Sequence, residues 1–275
     1  MAKGLVDEQY LTDIANAIRT KSGTETQYKP SEMASAINSI STKASPEYVS
    51  FHRYRGTSLD ISWLDISNIT NMGFMFDYCG NLATVDVGNW DTSNVTDVNG
   101  MFIECRNLTS VDVSSWDISY VTDTSSMFSN CSKLTALDVS NWNTSSVTDM
   151  SSMFSGCNTL TTLNVSSWNT SNVTSMQSMF DYCINLTSLD VSNWNTSNVT
   201  NTSSMFAECR NLTTLDISNW DTSNVTRSDY MFYGCGESLE TPTTVFVKDA
   251  AMQQWVLNTN NVPASWSTAN VIIKA

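Results

Sequence analysis

Seven cysteines, Cys79, Cys105, Cys131, Cys157, Cys183, Cys209 and Cys235, stand 26 residues apart, and the chain holds no others. Thiols in that number suggest a metal or redox array. No C-x-x-C pair occurs, however, and equivalent side chains of a periodic fold point in parallel instead of toward one another. The spacing therefore predicts a file of small buried core thiols in a protein that folds under reducing conditions. A second file, Asp60, Asp86, Asp112, Asp138, Asp190 and Asp216, has Asn164 in its place once. Carboxylates attract calcium, but calcium needs about six to eight converging oxygens, and a straight row does not converge. Solvation or turn capping is the expected role, and no metal or cofactor is expected.

A third file is Trp90, Trp116, Trp142, Trp168, Trp194 and Trp220. Its rings could stack sugars, yet so many exposed indoles would invite aggregation, so core or edge packing is expected. Thr196, Asn198, Thr200 and their equivalents form Thr/Asn files that raise an ice-binding face. Solvent-facing threonine is also simply what strands favour.

Catalysis finds little to work with. His52 is the sole histidine, no G-x-S-x-G elbow or phosphate loop appears, and the carboxylates recur uniformly instead of forming one differentiated pair. The expectation is a non-enzymatic protein. Its variable positions surround the cysteines: FDYCGN, FIECRN, FSNCSK, FSGCNT, FDYCIN, FAECRN and FYGCGE. Tyr78, Glu104, Arg106, Tyr182, Glu208 and Arg210 supply aromatic and charged groups there, a composition favoured in recognition patches. They are the candidate ligand-binding residues. Neutral drift on a loop is an equal alternative, and DYC and ECRN each recur four units apart, so block duplication accounts for part of the pattern.

These files require one element per period. Met-Phe pairs at 75/76, 101/102, 127/128, 153/154, 179/180, 205/206 and 231/232 keep the 26-residue step, and Trp63 in the first unit falls one residue early, as in a modified cap. Within residues 186–209, Leu186, Leu189 and Val191 mark a short strand, Val199 a second extended segment, and 202–206 one helical or 3₁₀ turn that drops Met205 and Phe206 inward. A single unit buries too little to stand alone, so the phrase has to recur and its copies have to stack.

Charge follows the same division. Residues 59–240 hold 20 acidic and four basic residues, whereas the rest of the chain is slightly basic. Acidity repels phosphate backbones and anionic lipid, which argues against nucleic acid or membrane insertion. The opening MAKGLVDEQYLTDIANAIR lacks the apolar core of a secretory signal, and no stretch reaches the length needed to span a bilayer.

Four segments result. Residues 1–44 place Leu11, Ile14, Ala15 and Ile18, then Met33, Ala34, Ile37 and Ile40, at helical spacing, with Gly23 as a stop and Pro30 at a first turn. Two such helices are too small to be stable alone, so this module is expected to attach or oligomerise. Residues 45–58 are a linker and an N-terminal cap strand within 48–55. Residues 59–240 are the repeats. Residues 241–275 form a C-terminal cap with strands at 245–247 and 271–273 and a helix near 249–257.

The phrase L-x-x-L-D-V-S-x-W-x-T-S-x-V-T-x-M-S-S-M-F-x-x-C resembles the BspA-type leucine-rich repeats of bacterial surface proteins across residues 59–240. The resemblance implies a leucine-rich-repeat-like right-handed solenoid of seven β/short-helix repeats used for adhesion or protein binding. Separately, LTDIANAIRTKSGT and KPSEMASAI, residues 11–24 and 29–37, resemble the N-terminal module of phage and prophage tail-fibre proteins. Together they imply a virion structural protein that attaches through residues 1–44, by virion or self-association, and engages a host cell-surface protein or glycan. A bacterial cell-surface adhesin and a virion spacer or decoration subunit without a receptor are the alternatives.

Overall fold

The computed structural model describes residues 4–5, 49–61, 64–258 and 262–274. The helices expected over 11–18 and 30–40, the linker at 41–47 and Trp63 lie outside the described residues. Strand β1 (Gly4–Leu5) pairs in parallel with β2 (Val49–Ser50), and β3 (Ser58–Leu59) with β4 (Thr84–Val85). Strands β5 (Thr214–Asp216), β6 (Thr244–Val247) and β7 (Val271–Ile273) form a parallel sheet in that order. Helix α1 (Ala250–Asn258) lies between β6 and β7 in the chain. Asp249 caps it, its Oδ1 accepting the Met252 N–H at 2.8 Å.

Through the repeats the backbone pairs one or two residues per unit with their equivalents 26 positions on. Parallel bridges join Asn71 to Asp97, Asp97 to Asp123, and so on to Arg227. A second file joins Thr84 to Ser110, Ser110 to Ala136, Thr162 to Ser188 and Ser188 to Thr214. The expected strand of each unit is thus reduced in most units to a single bridge.

The segment holding Met-Phe is not the helical turn expected. Alternate N–H groups leave the unit: those of Phe102 and Glu104 donate to the carbonyls of Met127 and Ser129, both at 2.8 Å. The intervening N–H groups of Met101, Ile103 and Cys105 close locally onto Val98, Gly100 and Phe102. Half of the 3₁₀ pattern survives, and the other half is spent on the neighbouring unit. The zigzag needs positive φ at two places. The residue before each methionine has it, as Phe74, Gly100, Ser126, Ser152, Ser178, Ser204 and Tyr230 show. So does the residue before each cysteine, namely Tyr78, Glu104, Asn130, Gly156, Tyr182, Glu208 and Gly234.

The core is a set of side-chain files. Phenylalanine rings stack from Phe51 through Phe76, Phe102, Phe128, Phe154, Phe180 and Phe206 to Phe232, with centroids 5.2 to 5.9 Å apart. Trp266 closes the far end, 5.1 Å from Phe232. Beside them run the tryptophans, buried except for half-buried Trp90, with Nε1 of Trp116, Trp142, Trp168, Trp194 and Trp220 donating to a valine carbonyl of the preceding unit. All seven cysteines are buried free thiols. Six of them donate to the carbonyl of a phenylalanine in the preceding layer, as Cys157 Sγ does to Phe128 at 3.3 Å. Burial pushes the thiols of Cys157 and Cys235 up to about 12, the character of inert core groups.

Both ends are sealed by partial copies. At the start only Val49–Ser50 is a strand, shorter than the stretch expected over 48–55. Phe51 and Arg53 instead imitate Phe76 and Tyr78, donating to Met75 and Asp77 carbonyls, with Arg53 at φ 57°. At the finish β6 and β7 carry the ladder on, matching the expected cap.

Removing one ring from mid-file leaves a void that neighbours on both sides cannot fill. Phe128→Ala is expected to destabilise by about 3–5 kcal/mol, read as a lowered urea midpoint. Ser152→Gly relieves a left-handed residue and is expected to raise the midpoint, by roughly 0.5–1 kcal/mol.

Candidate functional site

The strand segment of each unit turns one face outward. Along the chain its residues run Ser or Thr, then Leu or Val, then Asp, as in Ser110–Val111–Asp112 and Ser188–Leu189–Asp190, with Ala136 replacing the hydroxyl in one unit and Asn164 the carboxylate in the next. Alternation points the first and third outward, while the middle residue packs on the core with only its outer edge in reach of solvent. Stacked in register, the three positions make an open trough with an apolar floor, a hydroxyl rim and a carboxylate rim. It consists of three adjoining depressions of about 370, 500 and 560 Å³. They share Ser110, Val111 and Asp112 at one junction and Thr162, Leu163 and Asn164 at the other, so the trough runs unbroken from Ser58 to Asp216.

The carboxylate rim has a defined geometry. In Asp112, Asp138, Asp190 and Asp216, Oδ1 accepts both the N–H and the hydroxyl of the serine two residues on, at 2.6 to 3.1 Å. The aspartates therefore cap turns, as expected, and Asn164 does the same for Ser166. The Ser114 and Ser140 hydroxyls and N–H groups hold Asp112 and Asp138 below the usual carboxylate range. Burial pushes Asp216 up, but Lys274 and Ser218 outweigh it and leave that carboxyl low as well. Such groups stay ionised and are weak bases, which suits electrostatic contact better than proton transfer. At the trough's end, Lys274 reaches back from beyond β7 and places Nζ 2.5 Å from Asp216 Oδ2.

Residues 48–162 and again 132–246 match the family described as "Mycoplasma protein of unknown function, DUF285". The chain belongs to this family. No curated protein matches it. The two DUF285 matches overlap and together cover every repeat, which is compatible with a BspA-type repeat protein. They stop short of residues 1–47, so the tail-fibre resemblance there gains no support from them.

The six residues singled out around the cysteines occupy another edge of the DUF285 region. Tyr78 and Tyr182 are half-exposed. The Arg53 guanidinium lies 5.6 Å from the Tyr78 ring centroid. The glutamates differ from expectation. Glu208 is buried, the Glu104 side chain retains 15% exposure, and each is clamped by its own arginine: Arg106 Nε to Glu104 and Arg210 Nε to Glu208, both at 2.6 Å. Asn130 Nδ2 adds a 2.9 Å bond to Glu104. Acid and base neutralise each other within the loop, leaving the guanidinium faces and tyrosine rings outward. The variability before each cysteine also has a backbone cause, since that position is left-handed in all seven units and glycine or asparagine enters it readily. Of the Thr/Asn files, Thr200 and Asn198 are exposed, but Thr196 is buried and donates to the Asp221 carbonyl at 2.9 Å. That correction narrows the flat face the sequence suggested.

In the sequence the trough is signalled by the aspartate file together with the Ser or Thr two residues before it, flanking each floor Leu or Val, a pairing that becomes one feature only when the units stack. The Lys274 contact had no such signal, being set by where the final strand docks.

The Asp181 carboxyl, beside the tyrosine edge, is raised to about 6, first by burial and then by the charge of Glu208. Its folded-state pKa exceeds the ordinary 3.8, so ionisation opposes folding. The penalty is complete above about 6 and disappears as pH falls toward 3.8. Asp181→Asn is accordingly expected to stabilise the protein at pH 7.5 by about 1 kcal/mol, after discounting for solvent screening. Urea unfolding at pH 7.5 and pH 4 should show that gain vanish at the lower pH.

Proposed function

We propose that this is a non-enzymatic binding protein, a BspA-type leucine-rich-repeat right-handed solenoid that uses its outer wall to hold a protein or glycan on a cell surface. The observation that carries the reading is the unbroken trough, in which every layer offers two outward positions flanking one apolar floor residue. A repeated array of this kind presents a long contact and no single differentiated pair of reacting groups. Membership of the DUF285 family supports a repeat protein of surface or adhesion type.

The second reading places the chain on a virion, attached through residues 1–44, with the repeats engaging the host. It rests on the residues 11–37 resemblance alone. A spacer without a receptor is the third.

Incubating the fluorescently labelled full chain with a panel of intact bacterial and animal cells tests the first reading. Saturable binding to at least one surface is expected, and binding to none favours the spacer. Light scattering after size exclusion, on the full chain and on a chain lacking residues 1–44, tests attachment through the N-terminal segment. An oligomer that becomes a monomer on truncation is expected, and two monomers would remove that role.

A further inference from the structure

The trough also limits what can lie in it. Its carboxylate rim advances one layer at a time, about 4.8 Å per layer, through Asp86, Asp112, Asp138, Asn164, Asp190 and Asp216. Among the described hydrogen bonds, Oδ1 of Asp112, Asp138 and Asp190 is committed to a turn, while Oδ2 carries none. Asp216 shows what the second oxygen can do. Its Oδ1 caps Ser218 while its Oδ2 takes the Lys274 ammonium, and Lys274, Leu189 and Leu163 line the same depression. A lysine placed this way can lay its methylene stem along an apolar floor with its charge on the rim.

Resting on the binding role proposed above, we infer that the trough takes an extended, arginine- or lysine-bearing segment of a protein partner, each cation meeting one rim carboxylate as Lys274 meets Asp216. The occupant is a peptide and not a glycan for two reasons. The rim is anionic in every layer but that of Asn164, and the floor is aliphatic along Val85, Val111, Leu163 and Leu189, so no ring recurs from layer to layer on which a sugar chain could stack; the one ring lining the trough, Phe246, stands at its Lys274 end. The repeat region's excess of acid over base extends the attraction beyond contact range.

The probe is a fluorescein-labelled peptide of alternating arginine and serine, about ten residues long, which spans roughly seven layers when extended. A glutamate-for-arginine version is the control, and anisotropy with the full chain is the readout. Two triple variants separate the trough from bulk charge. Asp86→Asn with Asp112→Asn and Asp138→Asn alters the rim. Asp65→Asn with Asp91→Asn and Asp117→Asn removes the same charge from a column that also caps serines, at 2.9 to 3.1 Å, but does not line the trough. Asparagine already fills both roles at Asn164 and Asn143, so neither variant removes a cap.

The arginine peptide is expected to bind, the glutamate peptide not to bind, and binding to weaken with added salt. The rim variant should lose at least about tenfold in affinity, and the off-trough variant no more than about twofold. Equal losses in the two variants, or no binding by the unaltered chain, would overturn the inference. Cell binding by the same three proteins separates the two levels. If cells are bound but the peptide is not, only the cationic occupant falls. If neither is bound, the binding role falls with it.

Discussion

Everything in this molecule depends on the register between one 26-residue unit and the next. In the Met-Phe segment alternate N–H groups are surrendered to the neighbouring layer, so no unit satisfies its own backbone. A lone copy would leave those donors facing water or, worse, facing an apolar file. Stacking removes that penalty and at the same time sets ring on ring and thiol beside carbonyl. The polar look of the sequence is reconciled with a dry core in this way. Serine, threonine, asparagine and aspartate are consumed by turns and inter-layer bonds, and a few apolar residues per unit suffice because each is covered from above and below.

The same register creates the surface. A side chain that points outward in one layer does so in every layer, so a local preference becomes a macroscopic feature: a rim, a floor, a file of threonines. Variation gathers at the exposed edge around each cysteine, where tyrosine, glutamate, asparagine and glycine all occupy the left-handed position, while the buried Met, Phe and Cys do not change.

Much of this was legible from the residues. Identical spacing of Cys, Trp and Met-Phe required equivalent environments, and burial of those files follows directly. The C-terminal strands and helix were legible too, because apolar runs of β-branched and aromatic residues at 245–247 and 271–273 flank an Asp-capped helical stretch. What the sequence hid were features decided by contacts between layers. Ser204 does not announce a positive φ, since serine is no better suited to it than most residues. Glu208 looks like a surface charge until Arg210 folds over it. Thr196 and Thr200, four residues apart, read as one face, yet Thr196 turns inward to donate to the Asp221 carbonyl. The trough's two rims likewise become one feature only once the layers are superposed.

The direction of the inter-layer hydrogen bonds has a further consequence. On the Met-Phe side the donors point toward the C-terminal end, as Phe102 does to Met127; on the threonine side they point back, as Thr122 does to Thr96. In an α-helix all peptide dipoles add, and charge accumulates at the termini. Here the two flanks oppose each other and much of the axial moment cancels. Inserting another copy therefore adds contacts without building up an electrical imbalance at either end, and the number of copies is limited by the two closing segments, not by the stack itself.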